Sequence, residues 1–318
     1  MVSAVPSVSK PPLPSAVMPL SENVSVTASA SCAAMSASVT VLPVLVLPAL
    51  SLLTTLSAVI LVSAADAPPL VPPHPVEIPV AHRAALDRAA EMILAAERPL
   101  VMLGAAASRP RATHGLAGFV RRTRIPFFTT QMGKGTVPGG SNLYMGTAAL
   151  SERDYVHEAI ERADLIIAVG HDTIEKPPFL MGPGGPKVIH ISYTPANVEQ
   201  VYFPHAEVVG DVGPSLELLA DRLEGRLPRA GALLPLREGI LGRIAEGAGE
   251  GRFPPTPQRL VRDVRRVIPE DGIVALDNGM YKIWFARNYR TRMANTLLLD
   301  NALATMGAGL PSAMMAAM

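Results

Sequence analysis

The sequence predicts an α/β protein: a doubly wound parallel-sheet middle domain followed by the start of a second α/β domain. Three observations carry this. Leu165-Ile-Ile-Ala-Val169 and Val188-Ile-His-Ile191 are near-continuous apolar runs, the pattern of strands covered on both faces. Segments with apolar residues at helical spacing alternate with such runs, which is the rhythm of a doubly wound sheet. Nearer the C-terminus, Ile273-Val-Ala-Leu276 runs into the turn Asp277-Asn278-Gly279, and Leu297-Leu-Leu299 is followed by Gly307-Ala-Gly309-Leu-Pro311, a helix opening. Strand, glycine turn and helix are how an α/β sheet builds a ligand crevice at its carboxyl edge.

Residues 1–66 do not share this pattern. Between Asn23 and Ala65 there is no charged residue, and Ala, Ser, Val, Leu and Pro dominate. Residues 39–65 are long enough to span a bilayer, but Pro43 and Pro48 interrupt the first half and no aromatic belt brackets it. Val62-Ser-Ala64 has the small residues of a signal cleavage site, yet more than thirty residues precede the apolar stretch, where a signal peptide has a short basic start. The expectation is a low-complexity segment foreign to the rest of the chain, such as a mis-assigned start or a shifted reading frame would produce, with no packing pattern to read.

From residue 67 the chain reads as a folded domain extending to 228. Ala67-Pro-Pro-Leu-Val-Pro-Pro-His-Pro75 is an extended linker stiffened by proline. In residues 81–97, Leu86, Ala90, Ile93 and Ala96 recur at helical spacing until Arg98-Pro99 ends the helix. Leu100-Val-Met-Leu103 is a buried strand. A helix through Leu116, Phe119 and Val120 leads to the strand Pro126-Phe-Phe-Thr-Thr130. Ser151 with Asp154 three residues on resembles a capping box, opening a helix whose buried face is Val156, Ala159, Ile160 and Ala163. Gly104, Gly133, Gly135 and Gly170 follow strands, where glycine either turns the chain or lets backbone approach a ligand. Gly133-Lys-Gly-Thr136 is not a phosphate-binding P-loop, because the lysine is followed by Gly rather than Ser or Thr.

Residues 229–255 read as a glycine-bearing linker, and residues 256–318 as the start of the second domain. Thr256-Pro257 is a helix opening with Thr as N-cap and Pro at the first helical position. Leu260, Val261, Val264, Val267 and Ile268 give that helix one apolar face, and Pro269 closes it. Ile283 with Trp284 reads, on its own, as helix core.

Composition excludes several classes. The chain has 318 residues, Lys+Arg 28 against Asp+Glu 27, and a formal charge of +1, so no basic face recruits nucleic acid. Cys32 stands alone and cannot form an internal disulfide, and no Cys/His cluster has zinc spacing; a reducing, cytoplasmic location fits.

Leu276-Asp-Asn-Gly-Met-Tyr-Lys-Ile-Trp-Phe and Thr305-Met-Gly-Ala-Gly-Leu-Pro-Ser-Ala resemble the start of the diphosphate-binding domain of thiamine diphosphate enzymes, nearest to the acetolactate synthase large subunit. Gly133-Lys-Gly-Thr, Ala163-Asp-Leu-Ile-Ile-Ala-Val-Gly170 and Lys187-Val-Ile-His-Ile-Ser192 are similar to the same family's middle domain. The resemblance implies decarboxylation of pyruvate and carboligation of the two-carbon unit to a second 2-oxoacid, with thiamine diphosphate and Mg²⁺ as cofactors. It implies a homodimer or homotetramer with its site between subunits, and a possible regulatory subunit. A 2-oxoacid decarboxylase of the same family is the alternative. From other classes, a nucleotide-binding or NAD⁺-dependent deacylase-like domain would use His171 as its candidate histidine, and a membrane-tethered non-catalytic protein would use residues 39–65.

By resemblance, cofactor binding falls to Gly279, Met280, Ile283, Met306 and Gly307. A bulky side chain at Ile283 would support the bend of the cofactor, and the Gly279 carbonyl would accept from its exocyclic amine. A β-branched wedge is stiff, and a carbonyl is closely approached where no side chain intrudes. Small residues at Met306-Gly-Ala-Gly309 serve equally for free helix-start amides or for close packing across a dimer. No catalytic residue is carried over, since the activating glutamate belongs to the family's first domain. No metal ligand is either, since the acidic turn and the asparagine that hold Mg²⁺ would follow Met318. Flavin-containing relatives typically carry an arginine and an acidic pair where this chain reads Gly170-His-Asp-Thr-Ile-Glu-Lys-Pro-Pro178, which argues against FAD.

The chain alone is therefore expected to be inactive and to show no Mg²⁺-dependent binding of thiamine diphosphate by isothermal titration, because a diphosphate without its metal is left uncompensated. Binding at about micromolar affinity would show that the site has been misplaced.

Overall fold

The computed structural model describes residues 77–137, 139–172, 175, 181–198, 200–299, 301 and 305–318. The expectations for residues 1–66 and for the proline linker fall outside the described residues. Six strands form one parallel sheet: β1 (Pro99–Leu103), β2 (Phe127–Thr130), β3 (Tyr144–Ala148), β4 (Leu165–Val169), β5 (Lys187–Ser192) and β6 (Ala206–Val209), in the order β3-β2-β1-β4-β5-β6. The chain reverses its direction of winding between β1 and β4, which pair from Pro99↔Leu165 to Leu103↔Val169.

Alternation along the strands assigns each residue to one of two cores. Val101, Leu103, Ile167 and Ile189 pack beneath α1 (Arg83–Ala95), α2 (Pro110–Thr123) and α4 (Val212–Leu223). Leu100, Met102, Ile166 and Val188 face the other way, toward α3 (His157–Arg162) and α5 (Arg237–Ala245). Both faces of the sheet are thus covered, as a doubly wound fold requires.

A smaller parallel pair follows, β7 (Val274–Ala275) with β8 (Leu297–Leu298), flanked by α6 (Pro257–Val267), α7 (Tyr281–Asn288) and α8 (Gly309–Ala317). Its core joins Val261, Leu276, Phe285, Ala286 and Tyr289 to Ala149 of the larger unit. The Thr256 hydroxyl accepts from the Arg259 amide at 3.2 Å, with Pro257 in the first helical position, as the sequence predicts.

Three expectations need correction. The helix expected to open at Ser151 begins at His157, and Asp154 does not cap it; its carboxylate instead accepts from the Ala149, Leu150 and Tyr155 amides. Residues 229–255, read as linker, contain α5, whose Ile240 and Ile244 are buried against the sheet. The apolar face of α6 is only partly used: Val261 is buried, but Leu260 is 50% and Val267 79% exposed. The helix packs chiefly against α7, which covers only part of the stripe.

The α2–α4 contact gives a paired prediction. Gly115 and Gly118 both lie inside α2, where Ala in place of Gly favours a helix by about 1 kcal/mol. A Cβ at Gly115 would collide with the Gly213 carbonyl of α4, whereas at Gly118 nothing lies within 4 Å. In urea unfolding, Gly118→Ala is expected to stabilise by up to about 1 kcal/mol and Gly115→Ala to destabilise by about 1–3 kcal/mol.

Candidate functional site

Two carboxyl edges of parallel strands are available to hold a ligand. At the larger sheet, the winding reversal between β1 and β4 is where doubly wound folds place a crevice. Here it is filled from within. The Glu175 carboxylate accepts from the Ala105 amide at 2.8 Å and the Asp172 amide at 3.2 Å through Oε1, and from the Thr130 hydroxyl at 2.5 Å through Oε2. A Cβ on Gly104 would lie 2.5 Å from His171 Cα and 2.8 Å from that carboxylate. One on Gly133 would strike the Leu103 carbonyl, and one on Gly170 the Ala107 amide. These glycines turn the chain at strand ends and permit its close packing on itself. Gly135 has φ +91° and faces Thr291.

Burial pushes the Glu175 carboxyl up to about 7, against the pull of its three hydrogen-bond donors. Burial, with His190 nearby, pushes His171 down to about 3. Among the described residues neither ring nitrogen of His171 has a hydrogen-bond partner, and its Nδ1 lies 3.8 Å from Glu175 Oε1. The ring meets the edge of Tyr202 at 4.9 Å, and the Tyr202 hydroxyl bonds His190 Nδ1 at 2.8 Å. An enclosed imidazole of this kind is a poor candidate for the deacylase-like chemistry that His171 would have served.

The second edge lies at β7 and β8. Asp277 follows β7, and its carboxylate accepts from the Gly307 amide at 2.7 and 2.9 Å and from the Asn278 amide at 2.7 Å. Gly309, the first residue of α8, packs directly on it: a Cβ there would lie 2.9 Å from the Asp277 amide. The start of α8 is thereby pinned to the turn before α7. The Gly307 amide, one of those considered available for a ligand, is spent on Asp277.

Around this junction stand the five residues singled out in the sequence. The Gly279 carbonyl accepts from the Lys282 amide at 3.0 Å as α7 begins. Met280 is 76% and Met306 70% exposed. Ile283, in the first turn of α7, is half-buried against the smaller core, beside Trp284. Gly307 has φ +88°, the left-handed region that favours glycine. The arrangement offers apolar side chains and one backbone carbonyl around a glycine turn. Among the described residues, no group of three or more His, Cys, Asp or Glu is placed to hold a metal ion, and no helix is long and apolar enough to cross a membrane.

Sequence reasoning missed what holds α7. Arg287 Nε donates to Asp154 Oδ1 at 3.0 Å, and Asn288 Nδ2 to the Ile244 carbonyl at 2.5 Å. The available signal was the spacing of Ile283 and Arg287, four residues apart and so on one helix face.

Residues 86–219 match the family model described as thiamine pyrophosphate enzyme, central domain. Over 239 residues, covering 71% of this chain and 42% of the relative, the sequence is 33% identical to the catabolic acetolactate synthase of Raoultella terrigena. It is 25% identical to the acetolactate synthase of Bacillus subtilis over 71% of the chain and 41% of that protein. To the probable acetolactate synthase large subunit of Methanocaldococcus jannaschii it is 28% identical, over 74% and 41%. The chain spans about two fifths of the length of the curated relatives it matches.

The two buried groups titrate in opposite senses. Glu175, raised, contributes stability that is full below its unfolded value and is lost as pH rises through about 7. His171, lowered, contributes stability that is full above its unfolded value and is lost as pH falls toward about 3. His171→Leu should remove the second effect. Acidification from about pH 7 to about pH 5 is expected to cost the variant about 2 kcal/mol less than the parent in denaturant unfolding. Equal losses would show that His171 titrates normally.

Proposed function

The chain belongs to the thiamine pyrophosphate enzyme family, and from that premise we propose that its residues 256–318 contribute the apolar side of a thiamine diphosphate site in an acetolactate synthase-like carboligase. One observation carries the reading. In a chain that matches acetolactate synthases along most of its length, Gly279, Met280, Ile283, Met306 and Gly307 gather where Asp277 ties the start of α8 to the turn before α7.

When bound, thiamine diphosphate supplies an electron sink for the two-carbon unit that remains after a 2-oxoacid loses CO₂. The work of this chain is positional. Ile283 is stiff at χ1 and gives the cofactor an unyielding apolar support. The Gly279 carbonyl keeps a second lone pair beyond its bond to the Lys282 amide, and offers it to an amine donor. Met280 and Met306, both exposed, supply adaptable apolar surface that excludes water from the cofactor. Asp277 holds the two segments in register, so that both act on one ligand.

We assign pyruvate as first substrate and a second 2-oxoacid as acceptor, with Mg²⁺ at the diphosphate held by residues outside this chain's described site. A homodimer or homotetramer in the cytoplasm is the corresponding assembly. The proposal includes no flavin, because this chain reads Gly170-His-Asp-Thr-Ile-Glu-Lys-Pro-Pro178 where flavin-containing relatives typically carry an arginine and an acidic pair.

A chimera tests this: residues 77–318 replace the matching stretch of the Raoultella terrigena synthase, and acetolactate formation from pyruvate is measured. Ile283→Ala in that chimera is expected to lower turnover by about 10- to 100-fold while changing cofactor affinity by less than about threefold, since support is lost and the diphosphate anchor remains. Equal turnover would return Ile283 to the ordinary core. Aldehyde in place of acetolactate would move the assignment to a 2-oxoacid decarboxylase.

A further inference from the structure

We propose that Asp154 and Arg287 are positioning residues: a buried ion pair by which the larger sheet unit sets the placement of α7, and with it Ile283. The link to catalysis rests on the cofactor-site reading above. The placement of α7 does not.

The pair spans two structural units. Asp154 lies in the loop after β3, and Arg287 lies in α7, one helical turn beyond Ile283. The Asp154 side chain is 0% exposed and that of Arg287 9%. The carboxylate is saturated with four donors: the Ala149 and Leu150 amides at 2.9 and 3.0 Å on Oδ2, and the Tyr155 amide and Arg287 Nε at 2.8 and 3.0 Å on Oδ1. The three amides fix the carboxylate to the loop, so it presents one remaining direction to a donor. Arg287 meets it there, held laterally by the Tyr155 ring at 5.2 Å and the Trp284 ring at 5.7 Å.

A buried ion pair adds little net stability over a well-packed apolar pair, because both charges give up their water. Its distinctive property is directional. A guanidinium bonded through Nε to a fixed carboxylate allows α7 one position, where an apolar contact would tolerate sliding. Asp277 secures the turn before α7, and Asp154 secures its last turn. Ile283 sits between these anchors, so its placement depends on both.

A purely structural role predicts something different: lost stability, with α7 unmoved in whatever protein remains folded. Trp284, the single tryptophan, lies on α7 beside Arg287 and reports the difference. In the 318-residue chain, Asp154→Asn and Arg287→Met are expected to shift Trp284 emission and raise its quenching by acrylamide about twofold or more, with far-UV circular dichroism retained. Should either single variant fail to fold, the double variant Asp154→Leu/Arg287→Met keeps the test open, since an apolar pair can recover stability without restoring direction. In the chimera, the double variant should lose about tenfold or more in turnover at near-parental cofactor affinity, and Arg287→Lys should retain only part of the parental turnover, as a lysine has no donor at the Nε position and no planar group to lie against the Tyr155 and Trp284 rings. Parental Trp284 emission and turnover in a folded double variant would overturn the proposal. An altered Trp284 signal together with full activity of Ile283→Ala would instead overturn the cofactor-site reading and leave the placement of α7 by this pair supported.

Discussion

A parallel sheet has to be covered on both faces, and much of this structure follows from that one constraint. The strands cannot face water on one side as an antiparallel meander can, because their side chains alternate between two apolar sets. Leu100, Met102, Ile166 and Val188 would be bare if α3 stood alone, since that helix has only six residues. The missing cover comes from α5, recruited out of a stretch that reads as a linker. Once α5 lies on the sheet, its Ile244 carbonyl accepts from Asn288, and α7 acquires a neighbour in the larger unit. The need to close one core thus places the helix that carries Ile283.

The two carboxyl edges solve a shared problem in different ways. Each leaves backbone amides near a glycine turn, and each meets them with a carboxylate of its own, Glu175 at the larger sheet and Asp277 at the smaller pair. Glu175 is enclosed, and its carboxyl is pushed up to about 7 by the burial that makes it a plug. It fills the crevice and takes up the Ala105 and Asp172 amides there. Asp277 stays half-exposed and works as a strut, joining two segments while leaving Met280 and Met306 exposed. One edge has become core, and the other stays partly exposed.

How far the sequence revealed this depended on whether one physical cause dominated locally. β4 and β5 were legible because full burial demands unbroken apolar runs, and α6 opened where Thr256-Pro257 allows little else. β3 was not, since Tyr-Met-Gly-Thr-Ala interrupts the apolar pattern, and Gly146 at φ +132° takes a backbone conformation that no strand periodicity announces. β6 carries an exposed Glu207 at the sheet edge, which reads as loop. Ser151 and Asp154 have the spacing of a capping box, but the charge of Asp154 is neutralised by Arg287, 133 residues away. A local motif cannot outweigh a buried charge that finds its partner in the tertiary structure. The five candidate residues lie around one junction, whereas Asp277 as its strut and Glu175 as the plug emerge only when distant segments meet.

The dependence of α7 on its surroundings can be carried one step further. A helix of eight residues is not stable by itself, because nucleation costs more than so few hydrogen bonds return. Its position must come from tertiary contacts, and the polar ones to the larger unit lie on its second half. Phe285, Ala286 and Tyr289 are buried, Arg265 donates to the Tyr289 hydroxyl at 2.7 Å, and Arg287 and Asn288 reach the larger unit. In the first turn Lys282 is buried and its ammonium donates to Asn278 Oδ1 at 3.4 Å, while Met280 just before it is exposed and Ile283 is half-buried. The ends of the segment are anchored by polar contacts of fixed direction, while Ile283 between them is half-buried against the smaller core. The position of Ile283 is in this way set by residues elsewhere in the chain.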